Sequence, residues 1–146
     1  MIDAQTAFSK ELRRRRRARA VGWLTRRPGA GSGLVSLDKE LEAGAPAIRR
    51  PVGLHAIPVE SIVGTAETAK TRTFDARFRP ASSSRSRWER LWVAGRRGAP
   101  LPPISVYRLD GEHFVQDGHH RVSVAKALGM TAIDAEVTEL AYSGSG

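Results

Sequence analysis

Hydrophobic positions first recur with regular spacing at Ala4, Ala7, Phe8 and Leu12, one face of a helix, and a second short apolar set runs from Leu34 to Leu41 and is able to pack weakly on a folded unit. From Leu54 the texture changes. Leu54-His55-Ala56-Ile57-Pro58-Val59-Glu60-Ser61-Ile62-Val63-Gly64 alternates only in part and is rich in β-branched residues, which predicts a strand that breaks at Pro58 and passes into a second extended piece. Residues 65–85 are polar around Phe74 and Phe78 and predict an irregular helix or a crossing loop. Trp88, Leu91, Trp92 and Gly95 then fall at i, i+3, i+4 and i+7, an amphipathic helix stopped by Gly98 and Pro100.

Two strands follow, Ile104 to Arg108 and His113 to Gln116, joined through Leu109-Asp110-Gly111-Glu112, where Asp-Gly supplies the positive φ of a tight hairpin. Val122, Val124, Ala125 and Leu128 continue as a helix ending at Gly129, and Ile133, Ala135 and Val137 alternate with Asp134, Glu136 and Thr138 as a half-buried strand. The order predicts an α+β domain of β-α-β-β-α-β type over residues 51–140, a small mixed sheet packed with helices. Residues 141–146, ending Ser143-Gly144-Ser145-Gly146, read as a disordered tail.

Charge alters the view of the first third. The 146 residues carry a net charge of +9, and 20 of the 24 basic side chains are Arg, whose planar fork suits phosphate. Residues 1–50 contribute +7, residues 51–100 contribute +5 and residues 101–146 contribute −3. Arg13, Arg14, Arg15, Arg16, Arg17 and Arg19, then Arg26, Arg27 and the Gly-rich stretch 28–33, make residues 1–50 read as a flexible basic arm, part of which folds when bound. On this reading those six arginines are candidates for DNA or RNA contact, with a solubilising tail as the alternative, and removal of residues 1–30 leaves the domain folded.

Hydrophobic content of 40% suits one modest core. With no cysteine, disulfides, thiolate zinc sites and thiol nucleophiles are excluded. No apolar run approaches a membrane span or a signal peptide, so the expectation is a soluble, cytoplasmic protein without a membrane partner.

The densest chemistry is Asp117-Gly118-His119-His120-Arg121, placed where a strand turns directly into a helix. Such a junction aims unpaired N–H groups and the positive end of the helix dipole at one spot, and Gly118 permits close approach to the backbone. Two readings stay open: a seat for an anion, with Arg121 adding a fork of donors, or a capped helix start with solvated histidines. A metal site made by protein alone is not expected, because adjacent residues of a helix point about 100° apart and His119 and His120 do not readily share an ion. A magnesium ion brought with nucleotide phosphates and met by Asp117 is the more plausible metal chemistry.

Gly98 to Val106, His113 to Arg121 and the helix from Val122 to Gly129 together resemble the ParB N-terminal domain and sulfiredoxin superfamily, and Ile57-Pro58-Val59-Glu60-Ser61-Ile62-Val63-Gly64 is similar to its opening strand. The resemblance spans about residues 54–138. It implies that the strand-turn-helix unit holds the phosphates of a nucleoside di- or triphosphate: CTP in ParB, ATP in sulfiredoxin, and ADP in free serine kinases, whose turn also looks like Asp-Gly-His-His-Arg. Gly118, His119, His120 and Arg121 are then nucleotide-binding candidates. Asp117, His119 and Glu67 are catalytic candidates for phosphoryl transfer or hydrolysis, with Glu60 second to Glu67 as base. The departures matter: His119 stands where sulfiredoxin has its reactive cysteine, only Arg121 survives of ParB's arginine-rich turn, and these 146 residues are not expected to include ParB's helix-turn-helix. A non-catalytic DNA-associated module is the alternative.

Overall fold

A computed structural model of the chain describes residues 2–25, 33–41 and 48–142. Its elements in order are helix α1 (Ala4–Thr25), strand β1 (Val35–Ser36), one-turn helix α2 (Leu37–Glu40), β2 (Ile48–Pro58), β3 (Ile62–Thr65), α3 (Arg85–Arg96), β4 (Ile104–Leu109), β5 (Glu112–Asp117), α4 (His119–Ala127) and β6 (Ala132–Ala141). Six strands form one mixed sheet in the order β1-β3-β5-β4-β6-β2. Strand β3 lies parallel to β1 and β5, β4 is antiparallel to β5 and parallel to β6, and β2 closes the far side antiparallel to β6. The α+β class is present, and from β2 onward the order is β-β-α-β-β-α-β, the expected opening strand being two, β2 and β3, with α1, β1 and α2 added before them.

Local chemistry explains the boundaries. Asp110 and Gly111 both take positive φ, 51° and 81°, as the two-residue hairpin turn requires. Pro58 ends β2, and a turn over Val59–Ser61 leads straight into β3. Gly98 and Gly129, at φ 80° and 72°, release the chain after α3 and α4. The pairing of β2 with β6 shifts register between Pro51 and Gly53, where Gly53 has φ 87°.

The sheet's two faces separate the apolar residues. Val106, Val115, Ile133, Ala135 and Val137 point to one face and pack with Val122 and Ala125 of α4 and with Phe74 and Phe78. Both phenylalanines lie in the irregular stretch between β3 and α3 and are fully buried. The opposite face carries Leu109, Phe114 and Leu140, covered by Leu37 of α2.

A third cluster corrects the expectation of a flexible arm for the part of it that forms α1. Ala4–Thr25 is helical, and Phe8 is wholly buried against Trp88, Trp92 and Val124. Its ring meets Trp88 edge to face with centroids 5.6 Å apart, and the Arg85 guanidinium covers it at 4.6 Å. Farther along the helix, Arg15 donates to the backbone carbonyls of Thr73 at 2.9 Å and Arg72 at 2.8 Å. The arginine run hides this helix in the sequence, because a helix can bury the narrow stripe of Ala4, Ala7, Phe8 and Leu12 and keep its remaining sides charged. Removal of residues 1–30 would thus uncover Trp88 rather than leave the domain intact. Arg26, Arg27, the stretch 28–32 and the tail from Ser143 to Gly146 lie outside the described residues. Among the described residues no helix is long and apolar enough to cross a membrane.

Candidate functional site

Strand β5 delivers Asp117 to the sheet's end, and Gly118 turns the chain into α4 at φ 111°. Glycine is demanded twice here. The backbone angle disfavours any side chain, and a Cβ would come within 2.4 Å of Ile104 Cγ2. The added carbon would strike the core rather than an incoming ligand, so the glycine first serves the fold of the turn. Among the described residues no side chain caps α4, which leaves its first-turn N–H groups without an intrahelical or side-chain acceptor there.

A cavity of about 250 Å³ opens at this turn, lined by Asp117, Gly118, His119, His120 and Arg121 together with Lys70, Arg87, Arg90 and Leu91. Lys70 comes from a short turn, Thr68–Lys70, after β3. Arg87, Arg90 and Leu91 stand at i, i+3 and i+4 on α3, while Trp88 and Trp92 on its other side are buried. Trp88 is fixed there by its indole N–H, which donates to Ser123 Oγ of α4 at 2.8 Å. One helix thus locks into the core and presents two guanidinium groups to the cavity.

The histidines are interior groups. His119 and His120 are 3% and 9% exposed. His119 Nε2 lies 2.6 Å from Thr65 Oγ1, His120 Nε2 lies 3.0 Å from Ser84 Oγ, and Phe74 stacks on the first ring and meets the second edge-on. Burial is the main cause that lowers each pKa to about 4; Lys70 and His120 add to the effect on His119, and Arg87 and Lys70 to that on His120. Both rings are neutral at pH 7, chiefly because they are buried, and the cations that add to the effect, Lys70 and Arg87, line the cavity.

Arg121 differs from its expected role as a phosphate fork. Its Nη1 donates to the carbonyls of Pro102 and Pro103 at 3.0 and 2.6 Å, and its Nη2 lies 3.2 Å from Asp117 Oδ2. The guanidinium ties the Pro-Pro segment before β4 to the turn and has few donors left for a ligand. The Asp117 carboxylate is 73% exposed, so the Asp117–Arg121 ion pair itself contributes little to stability. Glu67 is exposed and is not among the cavity's lining residues; its backbone N–H donates to Thr65 Oγ1 at 2.9 Å, so it supports the hydroxyl that meets His119 without bringing its carboxylate to the turn. Glu60, on the turn after β2, is exposed as well. The arginines from Arg13 to Arg19 lie on α1 and are not among the lining residues. Among the described residues no cluster of three or more His, Asp or Glu is placed to hold a metal ion.

Lys70, Arg87 and Arg90 escaped the sequence reading. Arg87 and Arg90 lie on the polar side of an amphipathic helix, which looks the same whether it faces solvent or a cleft. No local spacing links them to residue 118.

No family model and no curated protein matches the chain. Three solved structures are similar at low identity. Sulfiredoxin from Arabidopsis thaliana is 23% identical, with 57% of this chain and 82% of that one covered and a TM-score of 0.41. The C-terminally truncated chromosome-partitioning protein ParB from Caulobacter crescentus, complexed with CTP-gamma-S, is 24% identical over 60% of this chain and 45% of that one, with a TM-score of 0.45. A Pnob8-like ParB-N domain is 16% identical over 66% and 32%, with a TM-score of 0.40. The chain thus spans less than half the length of either ParB chain it matches.

Proposed function

We propose that this protein binds the phosphates of a nucleoside di- or triphosphate in the cavity at the start of α4. The observation that supports this reading is the convergence of Lys70, Arg87 and Arg90, none in an ion pair among the described residues, on a cavity into which the uncapped N-terminus of α4 opens. Three cations around neutral imidazoles and free N–H groups make a site whose unmet requirement is negative charge. Asp117 is the one carboxylate in the lining. It repels a bare phosphate and becomes favourable when a magnesium ion enters with the ligand. Phosphoryl transfer or hydrolysis is the chemistry this arrangement suits, with the cations offsetting charge on the transferred group and His119 exchanging a proton once a bound anion raises its pKa.

The test is a thermal-shift and calorimetric comparison of pyrophosphate, ADP, ATP, CTP and GTP, with and without magnesium, against a sulfate control at equal ionic strength. A ligand at 100 times its Kd stabilises by about 2.7 kcal/mol. Arg87→Ala and Lys70→Ala are each expected to weaken binding about 10- to 150-fold, the range for one lost hydrogen bond to a charged group. Stabilisation by none of the phosphates beyond the sulfate control refutes the reading, as does parental affinity in an Arg87→Ala, Arg90→Ala double variant.

A further inference from the structure

We propose that the outward face of α1 is a second site, one that grips the phosphodiester backbone of nucleic acid without reading its sequence. The helix divides the arginine run into two populations. With Phe8 marking the inward direction and about 100° between residues, Arg15 and Arg19 fall within about 20° of it, Arg16 about 80° away, and Arg13 and Arg17 about 140° and 180° away. The contacts follow this geometry except at Arg19: Arg15 is spent on two backbone carbonyls and Lys10, Arg13, Arg16 and Arg17 are exposed, while Arg19, although on the Phe8 side, is exposed as well. The one acid on the helix, Glu11, is buried and engages Arg14 at 3.1 Å. Five exposed cations therefore have no acidic partner among the described residues.

The positive surface continues beyond the helix. Arg19 opens onto a cleft of about 820 Å³ that Lys39 and Arg72 also line. Its acid, Asp75, is buried and already occupied, accepting from the N–H groups of Arg77 and Arg79 and pairing with the Arg79 guanidinium at 3.6 Å.

The chemistry favours nucleic acid over a membrane. Among the described side chains of α1, the apolar stripe that an interfacial helix would insert among lipids, Ala4, Ala7, Phe8 and Leu12, is packed against the domain. What remains outside is nearly all guanidinium, spread from residue 10 to residue 19 along roughly 13 Å of helix, a length over which duplex DNA presents about eight phosphate charges. No side-chain pattern on this face supplies base readout, so affinity arises from displaced counterions. These residues are separate from the cavity at α4, and the inference does not rest on that site.

The full-length protein is to be titrated by fluorescence anisotropy against two 20-base-pair duplexes of unrelated sequence and a 20-nucleotide single strand, from 50 to 200 mM salt, with vesicles containing 30% phosphatidylserine in parallel. We expect equal affinity for the two duplexes, a log-log salt slope of about −4, and a fall of roughly 10²-fold across that range. The variant Arg13→Gln, Arg16→Gln, Arg17→Gln should lose at least tenfold in affinity at 50 mM salt and flatten the slope by about 2.7, while its circular dichroism and Tm stay parental because all three side chains lie in water. Single-strand binding with a similar salt dependence supports the same contact. Undiminished binding by the triple variant, a strong preference for one duplex, or capture by vesicles without capture of nucleic acid would each overturn the proposal.

Discussion

Phe8→Ala asks whether α1 is part of the fold or an appendage to it. The ring is fully buried in the cluster with Trp88, Trp92 and Val124, so truncation leaves a cavity between α1, α3 and α4 that the two rigid indoles are poorly shaped to fill. A buried Phe→Ala substitution costs about 3–5 kcal/mol, a figure that already includes loss of the edge-to-face contact with Trp88 and of the Arg85 guanidinium over the ring. Against a total of about 5–15 kcal/mol for a domain, that is a large fraction. With a urea m-value near 2 kcal/mol/M, the unfolding midpoint should fall by about 1.5–2.5 M. Tryptophan fluorescence and far-ultraviolet circular dichroism should report the same transition, since Trp88 and Trp92 sit beside the altered site. Phe8→Leu should recover most of the loss, because a smaller apolar side chain still fills much of the volume. A Phe8→Ala midpoint within about 0.3 M of the parent would refute the docking of α1 and restore the reading of residues 1–50 as a flexible basic arm.

Three further outcomes follow from the turn at residue 118. Gly118→Ala should lower Tm markedly, through strain at φ 111° and the 2.4 Å approach to Ile104, with a cost of about 1–3 kcal/mol; a parental melting curve would contradict that geometry. The fold holds His119 and His120 neutral, with pKa values of about 4, and the rings take up protons when the chain unfolds, so their stabilisation is full above the unfolded value of 6.5 and is lost as pH falls from there toward 4. Urea midpoints from pH 7 to 4 should show this slope, and His120→Gln should make it shallower. Arg121→Ala should lower thermal stability by releasing the Pro102 and Pro103 carbonyls, and should weaken phosphate affinity less than Arg87→Ala does; the reverse order in calorimetry would return Arg121 to the role of phosphate fork.

The parts of the fold legible in the sequence were those governed by local rules. Asp110-Gly111 specified its hairpin, Gly129 the end of α4, and Trp88 with Trp92 the buried side of α3. Phe74 and Phe78 were illegible as core residues because the segment around them has no period: short turns carry it, and Phe78 itself takes φ 61°. The turn from Asp117 to Arg121 was visible as a concentration of polar groups, but the division of labour within it was not. Arg121 is claimed by carbonyls about 18 residues earlier, and the cations that line the cavity arrive from α3 and from the turn after β3. Long-range placement of this kind leaves no mark on spacing along a single chain. On α1, by contrast, the needed signal was present in four apolar residues and was outweighed by five consecutive arginines.

Strand β2 ends the sheet, and among the described residues nothing pairs with its outer side. Eleven residues of open backbone, with Ile48 and Leu54 more than half exposed, form a template to which a second molecule can add its own strand. The sequence interrupts that template over a short stretch. Pro51 offers no N–H, the bulge between Pro51 and Gly53 breaks the regular edge, and the adjacent Arg49 and Arg50 set like charges against any identical neighbour. An identical copy adding its strand along this edge would therefore meet a missing N–H, a bulge and like charges over residues 49–53, an obstacle to self-pairing that neither the cavity nor the basic helix supplies.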